Sequence, residues 1–356
     1  MNTGCLKLRL LTPCFAGGTR PDQEAEIRVP AIRGQLRWWF RILGGFRSLE
    51  ALPLLQQESL VFGGGPAPHR HASPLVLRLS VPTGGQLTTR MALTAEAVQN
   101  QAGPAANYFL HPLQRRPRAG FSGVTLPAFH LDYHWRGPGD LWEDLHALLH
   151  VFGHWGSLGF RSRRAFGALG YQDSAPALQA ALERFNWKDR IIVKHLPARD
   201  ASQAIVVLAQ WLRKWRNYGR SPNHLNTFEP ALRWTRPDHD AGLKRHDGPV
   251  YRAALGLPLR QDYHDGRSVE WLARRPDRPD RSGHFASPVL LRPYQASSGR
   301  WLALVFFLEA RLWPEGHKVY LNGHPHPVSH NLYEAMKKDP VLKPFLPQSG
   351  DAGSTP

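Results

Sequence analysis

The 356-residue sequence has few features that would anchor it in a membrane or cross-link it through sulfur. It has no apolar run of about 18 residues, the length that a membrane-spanning helix needs. Residues 1–11 alternate apolar with polar and lack the apolar core of a signal peptide. The only cysteines are Cys5 and Cys14, and neither lies in a metal-binding spacing. The sequence therefore predicts a cytoplasmic protein with reduced thiols, no metal site and no cofactor.

Acidic residues are scarce relative to basic ones. The chain has 28 Asp and Glu against 45 Lys and Arg, which gives a formal net charge of +17. Such an excess indicates a polyanionic partner, either nucleic acid or an anionic membrane surface. No cluster of carboxylates suggests a two-metal nuclease. The length predicts about two domains of ~150 residues each.

The stretch from Gly153 to Gly170 combines five glycines with three arginines. Glycine permits positive φ and close backbone approach, and arginine offers a planar fork of donors that suits phosphate oxygens. The stretch therefore predicts a loop on which a phosphate chain lies, following a helix with an apolar stripe. It lacks the Gly-Lys-Ser/Thr ending of a nucleotide-binding loop. The helix stripe consists of Leu141, Leu145, Leu148 and Phe152, and the arginines are Arg161, Arg163 and Arg164.

A second basic segment spans residues 28–45. Pro30 suits the first turn of a helix and Gly44-Gly45 its end. Three arginines at a spacing of four, here named the arginine row, form one stripe, and Trp38 lies outside it as a predicted partner contact. No acidic residue is interleaved, so we expect the row to bind an external anion. The row is Arg33, Arg37 and Arg41, and the adjacent apolar stripe is Ile32, Leu36, Trp39 and Leu43.

The remaining patterns predict further strands, helices and loops. We predict strands over 5–12, 72–78 and 124–135, helices from Asp200 and over 329–338, and a strand or helix over 302–311. We predict loops over 59–65, 101–120, 217–248 and 260–281.

The order of elements in the first half predicts a ferredoxin-like domain with insertions. The segment Ala286–Arg292 repeats five of the seven residues of Ala72–Arg78, which indicates equivalent strands in two related domains. The expected fold class is α+β, with two ferredoxin-like (RRM-like) domains and long loop insertions. We predict domains over 1–190 and 191–347, with a disordered tail over 348–356.

Three segments also resemble a known family, the RAMP superfamily of CRISPR systems. Ser157–Gly167 is similar to its glycine-rich loop, Gly-x-Gly-x-Arg-Ser-Arg-Arg-Gly-Phe-Gly, with Ala165 where glycine is usual. Thr12–Gly18 and Pro30–Arg41 resemble signatures of the two-domain RAMP subunits of type III-B (Cmr) effector complexes.

The resemblance implies a non-catalytic RNA-binding subunit that holds the 3′ part of the crRNA and its paired target RNA. Its partners would be crRNA, target RNA and other RAMP subunits, with no membrane. Backbone contacts would dominate, as suits guides of any sequence. The predicted RNA-binding residues are Arg33, Arg37, Trp38, Arg41, Gly156, Gly159, Arg161, Arg163 and Arg164.

Two alternatives remain open at this point. A metal-independent RAMP endoribonuclease that processes crRNA would need a general base, for which His154 is the candidate. A protein-interaction scaffold would instead dock acidic partners on its basic faces.

Overall fold

The computed structural model describes residues 2–17, 24–64, 71–82, 88–90, 100, 104–114, 128–172, 178–218, 228–263, 265–275, 278–321 and 323–346. The elements of the first half are β1 (Asn2–Leu10), β2 (Glu24–Glu26), α1 (Val29–Leu43), α2 (Leu54–Phe62), β3 (Leu75–Ser80), β4 (Thr88–Arg90), α3 (Asn107–Gln114), β5 (Phe129–Trp135), α4 (Trp142–Trp155), β6 (Leu169–Tyr171) and α5 (Leu178–Leu182). The elements of the second half are β7 (Ile191–Pro197), α6 (Ala201–Arg216), α7 (Glu229–Gly242), β8 (Leu259–Asp262), β9 (Ser268–Arg275), β10 (Arg278–Gly283), β11 (Val289–Gln295), β12 (Trp301–Leu308), β13 (Lys318–Leu321), β14 (His324–Pro327), α8 (Asn331–Lys337) and β15 (Lys343–Pro344).

The first sheet has the strand order β3-β5-β1-β6, and all three of its pairings are antiparallel. With α1 after the first strand and α4 before the fourth, this is the ferredoxin-like arrangement, as predicted. Strand β5 alternates buried and half-buried positions along its whole length, which gives the sheet one core face. Its buried residues are Phe129, Leu131, Tyr133 and Trp135.

The second sheet repeats this arrangement with the order β11-β12-β7-β15. Helix α6 follows its first strand and α8 precedes its fourth strand. The repeated segments Ala72–Arg78 and Ala286–Arg292 both lead into the second strand of their sheets, β3 and β11. The two repeats are therefore equivalent by topology, and the prediction of two ferredoxin-like folds is confirmed.

Helices α1 and α4 supply the core of the first fold. Helix α1 has Pro30 in its first turn and ends at Gly44, whose φ of 89° is left-handed. Both predicted apolar stripes are buried, and the two helices pack together, with α1 against β3 and α4 against β1 and β6. The stripe of α6 is buried as well.

Internal contacts divide the chain into two compact units. The first comprises Met1–Ala209, Leu291–Val305 and Pro344–Pro356, and the second comprises Gln210–Leu290 and Phe306–Lys343. The second unit contains the sheet β10-β9-β13-β14, with β8 also paired to β9, around a core that includes Trp271 and Val319. The predicted domain boundary at 190/191 stays a prediction, and the tail at 348–356 lies outside the described residues.

Five sequence predictions of irregular structure were wrong. Residues 59–62 belong to α2, and residues 107–114 of the predicted loop over 101–120 form α3. The predicted loop over 217–248 contains α7, and the one over 260–281 contains β8, β9 and β10. Residues 153–155 continue α4, so the loop of the Gly/Arg stretch begins only at Gly156.

In the part of the chain described above, no group of His, Cys, Asp and Glu side chains could hold a metal ion. No described helix is both long and apolar enough to span a bilayer. Both cysteines are free thiols, and burial raises the pKa of Cys14 to about 12.

Candidate RNA-binding surface

The Gly/Arg loop, defined here as residues 156–168, lies on the segment that follows β1. Phe160 N–H donates to the carbonyl of Phe15 at 2.6 Å, and Gly167 N–H donates to the carbonyl of Pro13 at 2.9 Å. This segment is the one that carries the Thr-Pro-x-Phe signature. Two of the three sequence signatures therefore form one structural unit, held by backbone hydrogen bonds.

Thr12 joins the two segments through its side chain. Its buried hydroxyl donates to the carbonyl of Ala165 at 2.9 Å and accepts from Ala168 N–H at 3.0 Å. Ala165 has a left-handed φ of 72°, which explains why the family places glycine here. An L-residue in this conformation costs about 1–2 kcal/mol, and these bonds offset that cost.

The predicted site glycines shape the loop. Gly156 ends α4, and its N–H donates to the carbonyl of Phe152 at 2.7 Å. Gly159 has a φ of 78°, and a Cβ there would lie 2.7 Å from the carbonyl oxygen of Phe15. A larger residue at 159 would therefore push the loop off its support.

Arg163 brings the loop to helix α1. Its guanidinium carbon lies 5.2 Å from the ring centroid of Trp38, within cation–π range. Trp38 makes an edge contact with the buried Trp39, with centroids 5.0 Å apart. Trp38 therefore contacts both the core, through Trp39, and the Gly/Arg loop, through Arg163; its role as a partner contact stays a prediction.

The arginine row is partly neutralised by an internal acid, contrary to the expectation that an external anion alone would pair with it. Arg37 Nε donates to Glu58 Oε1 at 2.7 Å, and Arg41 Nε lies 3.6 Å from Glu58 Oε2. Glu58 comes from α2, so its approach is tertiary and invisible to helical spacing. One carboxylate between two guanidinium groups leaves a net positive charge on the cluster.

Exposure differs along the row. The side chain of Glu58 is 4% exposed, whereas those of Arg37 and Arg41 are 35% and 50% exposed and keep donors facing solvent. Arg33 donates to the carbonyl of Leu75 at 3.1 Å, and burial lowers its pKa. Arg33 therefore ties α1 to the start of β3.

The other two loop arginines take different positions. Arg164 is only 9% exposed, and its Nη1 donates to the carbonyl of Arg163 at 3.0 Å. Arg161 is half-buried with a left-handed φ of 65°, beside the ring of Phe160. Phe160 itself is 41% exposed. Of the three arginines, Arg164 is therefore the one turned towards the protein interior, and its main contacts are within the protein.

Arg292 holds both ends of the Gly/Arg loop by hydrogen bonds. It was not predicted from the sequence. Its side chain is fully buried, its Nε donates to the carbonyl of Gly156 at 3.1 Å, and its Nη2 donates to the carbonyl of Leu169. Burial lowers its pKa to about 9. The only signal in the sequence was its position as the last residue of the repeated segment.

His154 lies inside α4 and not in the loop. It is 5% exposed, and its Nδ1 lies 3.4 Å from the hydroxyl of Tyr294. It continues a file of histidines at a spacing of four with His146 and His150, whose Nε2 atoms are 2.9 Å apart. Burial lowers the pKa of His150 to about 4, so its ring is neutral at pH 7.

The comparison with protein families matches residues 7–169 to the model of the RAMP superfamily. That range contains β1, α1, the Gly/Arg loop and their shared contacts, so this part of the chain is similar to the RAMP superfamily. The resemblance seen in the sequence is thereby confirmed. Among curated protein sequences, none matches the chain significantly.

The solved structure of Cmr1 from Pyrococcus furiosus, in its apo form, has a similar fold. The TM-score is 0.55 at 14% identity, over 96% of this chain and 98% of that one. A chain in the cryo-EM structure of the type III-B Cmr-beta bound to cognate target RNA matches with a TM-score of 0.47 at 11% identity, over 93% of this chain and 99% of that one. The chain thus has the Cmr1 fold along almost its whole length.

Proposed function

We propose that this protein is a non-catalytic RNA-binding subunit of a type III-B CRISPR effector complex. It would hold the 3′ part of the crRNA and the target RNA paired to it, beside other RAMP subunits, in the cytoplasm. The observation that carries the proposal is the contact of Arg163 with Trp38, because it brings the Gly/Arg loop beside the helix of the arginine row. The net charge of +17 supports a polyanionic ligand.

The binding would rest on phosphate contacts. Arg163, Arg41 and Arg37 present guanidinium groups, whose planar donors suit phosphate oxygens irrespective of the attached base. Arg33 and Arg164 would contribute mainly by holding α1 and the loop in place. A surface of this kind suits guides of any sequence.

The proposal is tested with Arg163→Ala in the purified full chain. Affinity for crRNA and for the crRNA–target duplex is measured by fluorescence anisotropy over a range of salt concentrations and for several guide sequences. Loss of one phosphate contact should weaken binding equally for every guide and reduce the slope of log K against log salt by about 0.7–0.9.

Arg260→Ala is the matched control. Arg260 is an exposed arginine of the second compact unit, paired with Asp262 at 2.8 Å, and its loss changes the net charge by the same amount. Equal effects of the two variants would reduce the proposal to non-specific charge attraction. Unchanged affinity of Arg163→Ala at low salt would remove Arg163 from the site.

The competing functions are separated by two further observations. Incubation with repeat RNA in EDTA, beside His154→Ala, would reveal a metal-independent nuclease if cleavage occurred and required His154. The near-complete burial of His154 argues against its taking a proton from a 2′-hydroxyl at the loop. Purification of native complexes that contain acidic proteins but no nuclease-resistant RNA would favour a scaffold.

A further inference from the structure

A cavity of about 290 Å³ opens in the first compact unit where α4 ends, and is here named the β6 cavity. Gly153 and Gly170 line it, so both ends of the glycine-rich stretch contribute. Strand β6 forms one side, and the turn that joins β11 to β12 forms another. None of the predicted RNA-binding residues lines this cavity, although the nearby His154 does.

Three rings form the walls of the β6 cavity. The rings of His154 and Tyr171 have centroids 4.9 Å apart, and the ring of Tyr294 lies 6.3 Å from that of His154. The ring of Tyr171 passes across Gly153, where a Cβ would lie 2.6 Å from the tyrosine hydroxyl. Glycine inside a helix costs about 0.5–1 kcal/mol relative to alanine, and here it makes room for the ring that faces the cavity.

Polar groups complete the lining. Arg9 Nη2 donates to Gln295 Oε1, whereas Arg9 Nε is buried and has no hydrogen-bond partner among the described residues. Arg9 lines the cavity wall, so this donor can pair with an acceptor of a bound group. The amide of Gln172 offers both a donor and an acceptor, whereas the amide of Gln295 accepts from Arg9 and donates to the carbonyl of Gly299 at 3.3 Å.

We propose, on the basis of the RNA-binding function above, that the β6 cavity takes the base of one unstacked nucleotide of the bound RNA strand. Its volume is near the lower end of the ~300–1,000 Å³ range of small-molecule sites, which excludes a base pair. Aromatic walls with polar groups at the edge are how proteins hold unstacked bases of single-stranded RNA. The exposed amide of Gln172 can turn either its donor or its acceptor towards a base edge, so the site is compatible with variable guides.

The test is photo-crosslinking of the full chain to crRNA that carries a single 4-thiouridine, moved along the strand in successive samples. Mass spectrometry identifies the crosslinked peptides. One nucleotide position should crosslink to the peptides that contain Tyr171 or Tyr294. Ser297→Trp places a large ring at the exposed mouth of the cavity, and should abolish this crosslink and weaken RNA binding about tenfold, as for one stacked base.

Ser298→Trp is the matched control. Ser298 is the next residue of the same exposed turn and does not line the cavity, so crosslink and affinity should stay as in the native chain. RNA binding that depends on Arg163 but gives no crosslink at Tyr171 or Tyr294 would overturn this proposal and leave the RNA-binding function standing. Loss of all RNA binding would refute the proposed function instead.

A third experiment distinguishes a base that belongs to the RNA strand from the base of a free nucleotide. Free UMP is added to the 4-thiouridine complex and, separately, titrated into the RNA-free chain. UMP that competes only at concentrations far above those of the RNA supports a nucleotide of the strand. UMP that fills the cavity of the RNA-free chain while RNA crosslinks elsewhere would assign the cavity to a free nucleotide and overturn the proposal.

Discussion

Glu58 determines how much positive charge the arginine row presents. It is nearly buried between Arg37 and Arg41, and a buried carboxylate is stable only while such partners hold it. The same contacts draw the two guanidinium groups towards α2 and reduce their attraction for phosphate. At the scale of single residues, the proposed site would therefore balance the stability of the α1–α2 pair against affinity for RNA.

Glu58→Gln is expected to shift this balance. Removal of the negative charge should raise RNA affinity several-fold at low salt and lower the free energy of unfolding by about 1–2 kcal/mol, discounted for the partial exposure of both arginines. Anisotropy and denaturant titration measure the two effects. The exposed Glu50→Gln, with the same change in charge, should alter both far less. Weaker RNA binding of Glu58→Gln would contradict the description of the row.

At the scale of elements, α4 carries two half-buried histidines, His146 and His150, and the buried His154, and the charge of His150 is linked to folding. The ring of His150 lies between two hydrogen-bond partners. Its Nε2 is 2.9 Å from Nε2 of His146, and its Nδ1 is 2.8 Å from the hydroxyl of Tyr171. Desolvation holds its pKa at about 4, below the unfolded value of 6.5. Between pH 6.5 and pH 4, His150 is therefore protonated in the unfolded chain but neutral in the native chain. The free energy of unfolding falls as the pH drops through this range.

His150→Gln should reduce that acid sensitivity. The free energy of unfolding of the native chain should fall by about 2 kcal/mol more than that of the variant between pH 6.5 and pH 4, with no difference in slope above pH 7. Denaturant titrations at several pH values measure it. His71→Gln, which alters an exposed histidine, should keep the native slope. Parallel curves for His150→Gln and the native chain would show that His150 is not the linked group.

In the second compact unit, Asp339 joins helix α6 to the end of α8. Its Oδ2 accepts from the indole N–H of Trp211 at 3.0 Å and of Trp215 at 2.7 Å, all three residues being buried. The apolar stripe of α6 was predicted from its period, but this acid lies more than a hundred residues away and no local pattern points to it. Such long-range polar contacts are invisible to periodicity.

Asp339→Ala should destabilise this unit by about 2–4 kcal/mol, because two buried indole donors lose their acceptor. Asp339→Asn retains one acceptor oxygen and should cost less. Thermal unfolding, with tryptophan fluorescence as the probe, compares the variants. An Ala variant as stable as the native chain would show that both indoles find other acceptors.

Two of the elements that were not predicted from the sequence, α7 and β9, differ in how much local signal they carry. Helix α7 contains Pro237 in its interior, which normally breaks a helix. Asp238, one residue later, is fully buried and accepts from Tyr251 N–H and Arg252 N–H, each at 2.7 Å, so tertiary bonds hold a segment that local rules reject. Strand β9 did carry a signal, since Val269, Trp271 and Ala273 alternate as its buried residues.

At the scale of the whole molecule, the chain contains two ferredoxin-like sheets of the same strand order. Regular hydrophobic periods and the repeated segment were enough to predict both folds. The Gly/Arg loop and the arginine row were also named from sequence, as residue types that suit phosphate, and Trp38 was named as a predicted partner contact. The contributions of Glu58 and Arg292 could not be predicted, because each depends on a distant segment that meets the site only in the folded chain.

In the proposed function, the Gly/Arg loop and α1 form one RNA-binding surface, joined by Arg163 and Trp38. A double-mutant cycle of Trp38→Ala, Arg163→Ala and the double variant on crRNA affinity tests it most directly. We expect each single variant to weaken crRNA binding, and the double variant to lose little more affinity than Arg163→Ala alone. Fully additive losses, or single variants that bind crRNA as tightly as the native chain, would contradict it.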